Sequence, residues 1–211
     1  TFNDAGEITE AKGEPIIVDG GVAEDAATKA RIMEAAAPLE EIRNKVVANA
    51  GAAIEGDRAV CRVQECAMGN LVADAMLARV KDQGIEVAIA NSGGLRASID
   101  AGDVTMGEVL TVLPFQNTLS TFKVSGETLM AALENGVSQM EEVKGRFPQV
   151  SGMSFTVDAF AEVGSRVSDV MVGGMALDMG KMYGVVSNNY VRGGGDGYKM
   201  FRDAQDAYDF G

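Results

Sequence analysis

Histidine is absent from all 211 residues. That removes the Ser-His-Asp triad, the Cys-His pair and every His-ligated metal site. Any chemistry in which this chain takes part must rest on carboxylates, Lys and Arg, or on a catalytic apparatus outside it. Cysteine is nearly absent too. Cys61 and Cys66 stand in a C-x4-C arrangement, which does not match the spacing of zinc ribbons, and no second pair completes a four-ligand site. No metal-ligand set is identified. A local disulfide closing a tight loop is favoured over two free thiols, and it implies an oxidising compartment such as a periplasm. No apolar run approaches the roughly 20 residues that span a bilayer. A signal peptide is not evident and the first residue is Thr, so the chain reads as a mature or trimmed piece. Positive charge is scarce: 18 Lys and Arg face 31 Asp and Glu, a formal net charge of −13. Such a chain is a poor partner for polymeric nucleic acid or an anionic membrane. An anionic ligand would need a few locally placed arginines working against the global field.

Glycine, by contrast, is concentrated. The stretch Asn188-Asn189-Tyr190-Val191-Arg192-Gly193-Gly194-Gly195-Asp196-Gly197-Tyr198 holds four glycines between two tyrosines. Glycine loses more backbone entropy on folding than other residues, so a cluster is costly unless the loop needs positive φ or close approach to its backbone. Tyr190, Arg192 and Asp196 offer an aromatic face, a guanidinium and a carboxylate, a set suited to a flat, hydroxylated ligand. A plain surface loop is the competing reading.

Along the chain, residues 1–8 read as strand, turn, strand, and 13–19 as a second short strand. Residues 23–48 predict an amphipathic helix with a stripe of Ile32, Ala36, Leu39, Ile42 and Val46, interrupted near Pro38. Residues 58–66 read as strand or turn, 68–80 as a helix, and 87–90 as a buried strand running into Asn91-Ser92-Gly93-Gly94-Leu95-Arg96, a second candidate ligand loop. Thr105 and Glu108 form a capping-box pattern opening a short helix that ends near Pro114. A strand at 119–124, a helix at 126–140 with Leu129, Leu133 and Val137 inward, a loop at 143–150 and a strand at 153–157 follow. Residues 167–172 and 175–178 predict a hairpin through Gly173-Gly174, and 183–186 a strand leading into the glycine-rich stretch. The class is α+β, a mixed sheet with packed helices preceded by a linker helix. The twelve methionines, scattered at core positions, read as gap-fillers. The acids Glu141-Glu142, Asp100 and Asp103 read as solvated and stay outside the site.

Three separated stretches occur in a telling order: Cys61 through Leu71; Asn91-Ser92-Gly93-Gly94-Leu95-Arg96 with Leu113-Pro114-Phe115; and Asn189 through Tyr198. Together they resemble the C-terminal, substrate-binding domain of the 5'-nucleotidase family, which includes bacterial UDP-sugar hydrolase/5'-nucleotidases and animal ecto-5'-nucleotidase. The resemblance covers about residues 45–205. It implies that residues 1–22 are the remnant of an N-terminal metallophosphoesterase domain, 23–48 a linker helix and 49–211 the substrate-binding domain. In that family the N-terminal domain holds two divalent metal ions and the catalytic Asp-His pair, and domain rotation carries substrate to the metals. The missing histidines are then accounted for. The piece itself would hold no cofactor and no catalytic residue, and would be inactive alone. Its partners would be a nucleotide or nucleoside and its own N-terminal domain, in a periplasmic or extracellular setting.

The same resemblance assigns roles. Phe115 and Tyr190 match the aromatics that sandwich the base, the family often having Phe at the second position. Asp196 matches the acceptor for the ribose hydroxyls, and Arg62 and Arg96 match phosphate-contacting arginines. Asn91 matches an amide near phosphate or ribose and Asn117 one near the base. Gly93, Gly94, Gly194 and Gly195 would let backbone lie close to ligand, and Gly145 belongs to a loop lining the base pocket. Cys61 and Cys66 match a disulfide of some animal members. Arg192 has no counterpart and reads as a solvated rim charge. The implied activity is hydrolysis of a nucleoside 5'-phosphate. UDP-sugar hydrolysis, cyclic-nucleotide phosphodiesterase/3'-nucleotidase activity and a non-catalytic nucleoside-binding module are the alternatives.

Overall fold

The computed structural model describes residues 1–210, in two units: Thr1–Glu41, and the chain from Ile42 onward. In the first unit, Phe2 and Ile8 form an antiparallel bridge, the expected strand, turn, strand. The strand expected at 13–19 is not formed. Ile16, Ile17 and Val18 are 85, 78 and 81% exposed, because a β-branched run without a pairing partner has nothing to hold it extended. Helix α1 spans Ala26–Arg43, with the Asp25 carboxylate accepting from the Thr28 N–H at 2.8 Å. The helix continues through Pro38 as one element and buries none of its residues. It ends short of the expected residue 48, since Val46 and Val47 belong to a strand.

That strand, β1 (Val46–Ala50), opens the second unit and pairs antiparallel with the stretch Gly102–Thr105. Helix α2 (Arg58–Cys61) replaces the expected strand or turn, because Asp57 turns its carboxylate onto the Ala59 N–H and caps a single helical turn. Helix α3 (Ala67–Val80) and strand β2 (Val87–Asn91) lie where expected. Next come β3 (Gly102–Thr105), α4 (Met106–Val112) with its Thr105–Glu108 capping box, β4 (Leu119–Ser125) and α5 (Gly126–Val137). The expected loop at 143–150 is cut short by β5 (Pro148–Ser151). Strands β6 (Met153–Val157), β7 (Val167–Val172) and β8 (Met175–Ala176) form a three-stranded antiparallel sheet that includes the predicted hairpin. Strand β9 (Met182–Asn188), helix α6 (Asn189–Arg192) and strand β10 (Gln205–Asp209) complete the chain.

The main sheet has the order β10-β4-β9-β2-β5. Among the described residues only β2 and β9 run parallel within it. Every residue of β2 is buried, as expected for a strand covered on both faces. The alternation sorts its side chains. Ala88 and Ala90 meet Ala73, Met76 and Val80 of α3, so the buried face of α3 is not the one bearing exposed Leu71. Val87 and Ile89 join a larger core with Phe122, Val124, Leu129, Tyr183, Val185, Tyr198 and Phe201. Leu129, Leu133 and Val137 of α5 are fully buried, each worth roughly 1.5–3 kcal/mol relative to exposure. The architecture is α+β, with a mixed sheet between helices. The C-terminal ends of the parallel pair are Asn91 and Asn188, and both candidate ligand loops begin there. That end of a strand pair is where α/β sheets open crevices for ligands.

Candidate functional site

Asn91 closes β2 and Asn188 closes β9, and the two carboxamides meet. Asn188 Nδ2 donates to Asn91 Oδ1 at 2.9 Å, while Asn188 Oδ1 accepts from the Val191 N–H and caps α6. With its oxygen occupied, Asn91 turns Nδ2 outward and donates to Asp196 Oδ2 at 2.6 Å. The other carboxylate oxygen accepts from the Tyr190 hydroxyl at 3.1 Å, and the Asp196 N–H returns a bond to the Tyr190 oxygen at 3.2 Å. Burial, then the Asp196 charge, raises the Tyr190 pKa, which keeps the phenol a donor. Asp196 adopts φ +51°, a left-handed conformation that aspartate tolerates better than most residues. Asn135 of α5 holds it there, donating to the Asp196 carbonyl at 3.1 Å. Arg146 donates both to Asn135 Oδ1 and to Ser138, and its own carbonyl accepts from the buried Tyr198 hydroxyl at 2.8 Å.

The glycines have separate tasks. A Cβ at Gly195 would stand 2.4 Å from the Tyr190 ring, so the chain can pass the ring only as glycine. Gly93 and Gly145 touch backbone to backbone: a Cβ on Gly145 would lie 2.8 Å from the Gly93 Cα, and the Gly93 N–H donates to the Gly145 carbonyl at 2.7 Å. This contact ties the loop after β2 to the segment before β5.

Arg62 reaches the site from the loop after α2, which the Cys61–Cys66 disulfide closes. Its Nη1 donates to the Val143 carbonyl at 3.2 Å, and its Nε is buried without a partner. Burial, followed by the neighbouring Arg58 and Arg96 charges, lowers its pKa, and Asp196 opposes them. Two guanidiniums that feel each other's charge favour an anion beside them. Arg96 donates to the Gly93 carbonyl at 3.5 Å and lies 5.5 Å from the centre of the Phe115 ring, within cation–π range. Phe115 is 56% exposed and Tyr190 49%, large apolar faces left open to solvent.

One cleft of ≈490 Å³ is lined by Arg62, Asn91, Gly93, Gly94, Arg96, Phe115, Asn117, Gly145, Tyr190 and Asp196. That volume suits a small organic ligand. Gly194 is not among the lining residues. It is left-handed at φ +91°, and a Cβ there would stand 2.4 Å from Arg202 Nε, so its role is to let the loop turn. Arg192 also lies outside the cleft. Its Nη1 donates to the Arg202 carbonyl at 3.3 Å and its Nε is buried, so it is less solvated than a rim charge. Glu141 is exposed and lies outside the cleft, as expected, and in addition forms a two-point ion pair with buried Arg166. Asn188, Asn135 and Arg146 organise the site without any role expected of them from the sequence. Asn188 had a signal, its place at the head of the glycine-rich stretch. Asn135 and Arg146 had none, because their bonds join segments distant in sequence.

Comparison with known proteins extends these observations. The family model described as "5'-nucleotidase, C-terminal domain" matches residues 45–203. The trifunctional nucleotide phosphoesterase protein YfkN of Bacillus subtilis is 41% identical over 179 residues, covering 82% of this chain and 12% of that protein. The 5'-nucleotidase of Rattus norvegicus is 32% identical over 228 residues, covering 100% of this chain and 40% of that protein. Among solved structures, a 5'-nucleotidase precursor from Thermus thermophilus aligns with a TM-score of 0.83 at 40% identity, over 100% of this chain and 43% of the other. The chain therefore spans less than half the length of each of these relatives. With the fold, the disulfide and the three motif stretches in accord with the match over 45–203, the chain belongs to the 5'-nucleotidase C-terminal domain family.

Proposed function

We propose that this chain is the substrate-binding part of a metal-dependent 5'-nucleotidase-type phosphoesterase that converts a nucleoside 5'-phosphate to nucleoside and phosphate. The observation that carries the reading is the composition of the cleft. It gathers two half-exposed aromatic rings, a carboxylate tethered at both oxygens and two guanidiniums. These are the partners of a base, a ribose and a phosphate. Phe115 and Tyr190 stack on the base, Asp196 accepts from the ribose hydroxyls, and Arg62 and Arg96 hold the phosphate. Asn91 and Asn117 supply amide groups beside them, and Gly93 and Gly94 keep side chains out of the way. The aromatic pair favours a base-containing substrate.

Among the described residues no group of three or more His, Cys, Asp or Glu could hold a metal ion, so no step is assigned to a metal in this chain. In the proposed parent, two divalent ions held by a separate N-terminal domain would supply Lewis-acid polarisation of the phosphoryl group and activation of water. This chain binds and orients the substrate for them. The remnant at 1–22 and the linker at 23–48 belong to the same proposal. A periplasmic or extracellular setting is supported by the Cys61–Cys66 disulfide. Among the described residues no helix is long and apolar enough to cross a membrane.

Calorimetric titration with AMP and adenosine tests the binding role. Both should saturate, AMP more tightly, and absence of saturable binding by either rejects it. Phosphate release from AMP with added Mn²⁺ or Zn²⁺ tests the division of labour. The isolated chain should release none.

A further inference from the structure

Arg62 depends on its loop for its position. Among the described residues its side chain makes one hydrogen bond, to Val143, and its Nε is unpartnered, so the guanidinium stands where the backbone of residues 61–66 puts it. That loop is fastened twice. One fastening is the Cys61–Cys66 bond, with the Cα atoms 5.1 Å apart. The other is Gln149, a side chain 1% exposed on β5. Gln149 Nε2 donates to the Cys61 carbonyl at 2.8 Å and to the Gln64 carbonyl at 2.8 Å, and Oε1 accepts from the Cys66 N–H at 3.2 Å. Both donor hydrogens and the acceptor are used, so this buried amide is fully satisfied and has one orientation. Its bonds bracket Arg62 on either side. Helix α3 makes room for it, since a Cβ on Gly69 would lie 2.1 Å from Gln149 Oε1.

The strand beneath Gln149 adds a second link. Gln149 pairs opposite Ala90 in the β2–β5 ladder, one residue before Asn91, which orients Asp196. The loop bearing Arg62 and the amide that sets the carboxylate are therefore registered to one another through a single pair of strands. A guanidinium pairs with a phosphate through two parallel bonds, and that geometry is lost with small rotations.

We propose that Gln149 is a positioning residue that holds the Arg62 loop in register with β2, and that through Arg62 it sets the preference for phosphorylated over unphosphorylated ligand. This rests on the reading of Arg62 as a phosphate contact. The test measures the ratio of AMP to adenosine affinity by calorimetry, in the whole chain. Gln149→Met keeps the volume and removes the three bonds. Loss of a charge-assisted contact should lower the ratio by about tenfold, with adenosine affinity nearly unchanged. In an Arg62→Ala background, Gln149→Met should change the ratio no further, because the two act as a unit. Equal loss of AMP and adenosine affinity, or a full additional loss on top of Arg62→Ala, overturns the inference. If Arg62→Ala leaves the ratio unchanged, the phosphate role and this inference fall together. If Arg62→Ala lowers it and Gln149→Met does not, this inference falls alone. Should Gln149→Met not fold, Gly69→Ala displaces the same amide from the side of α3. A lowered ratio there supports the inference, and an unchanged ratio overturns it.

Discussion

Two groups of residues share the cleft and are held in different ways. Asn188, Asn91, Asp196 and Tyr190 form a continuous hydrogen-bonded chain rooted in the ends of two buried strands and braced by Asn135 of α5. Phe115, Arg96 and Asn117 are all exposed and stand on the segments after α4 and β2. There the contacts are a long bond from Arg96 to Gly93 and the Arg96–Phe115 ring contact. A smaller cavity of ≈140 Å³, with Met76, Leu95 and Leu113 in its lining, shares Phe115 and Asn117 with the cleft and leaves the ring space beside it. The first group is organised before ligand arrives, so little ordering cost falls on binding. The second can adapt to the ring it meets. In the proposed function this divides the labour: the ribose acceptor is rigid, and one face of the base clamp is adjustable.

The largest expected effect is on the rigid group. Asp196→Ala should weaken adenosine binding by about 1.5–3 kcal/mol, the range for hydrogen bonds to a charged group, as read by calorimetry. A loss below about threefold would show that the tethered carboxylate is not the ligand's acceptor. Phe115→Ala should cost about 1–2 kcal/mol of adenosine affinity from lost stacking. Because the ring is 56% exposed, thermal stability should hardly move. A large fall in melting temperature would erase the contrast between the groups. Asn188→Ala acts the other way round. It removes the α6 cap and frees the Asn91 amide, and should lower stability in urea by about 1–2 kcal/mol. An unchanged midpoint would mean that the carboxamide chain is not what braces this side.

A smaller effect appears only in alkali. Burial drives the Tyr198 phenol far above its ordinary range, the Asp196 charge adding to it and Arg146 opposing. Tyr190 is raised as well. A raised folded pKa contributes stability that is fully present below the unfolded value of about 10 and is lost as pH rises through the folded value. Unfolding free energy should therefore fall above about pH 10, less steeply in Tyr198→Phe. Equal slopes would show that burial does not hold the Tyr198 phenol protonated in the folded chain.

Elements with a clear periodicity were legible before folding was considered. The α5 stripe of Leu129, Leu133 and Val137 and the buried run of β2 needed only their own spacing. The capping box at Thr105 and the glycine hairpin between β7 and β8 were equally local. Strands β1, β3 and β10 were not legible, since each is short and owes its extension to a partner distant in sequence, and β1 and β10 are largely exposed. Helix α2 was missed because its one turn depends on an aspartate cap. In the site, the chemical types in the two glycine-rich loops were plain from the residues. The other lining residues, Arg62, Phe115, Asn117 and Gly145, were singled out only by what the family resemblance implies.

Residue type and local spacing are enough to specify the amphipathic elements, the lack of any histidine chemistry and the kinds of side chain available to a ligand, and the resemblance of three separated stretches points to the family. Which of those side chains are organised, and which are merely present, is a property of the folded chain. Folding turned Asn188 from the head of a glycine-rich stretch into the root of the Asp196 network, left Gly194 outside the cleft lining, and brought Gln149 beneath the loop that bears Arg62. Each of these depends on hydrogen bonds or close backbone approach between separate segments. No spacing within one segment can specify them.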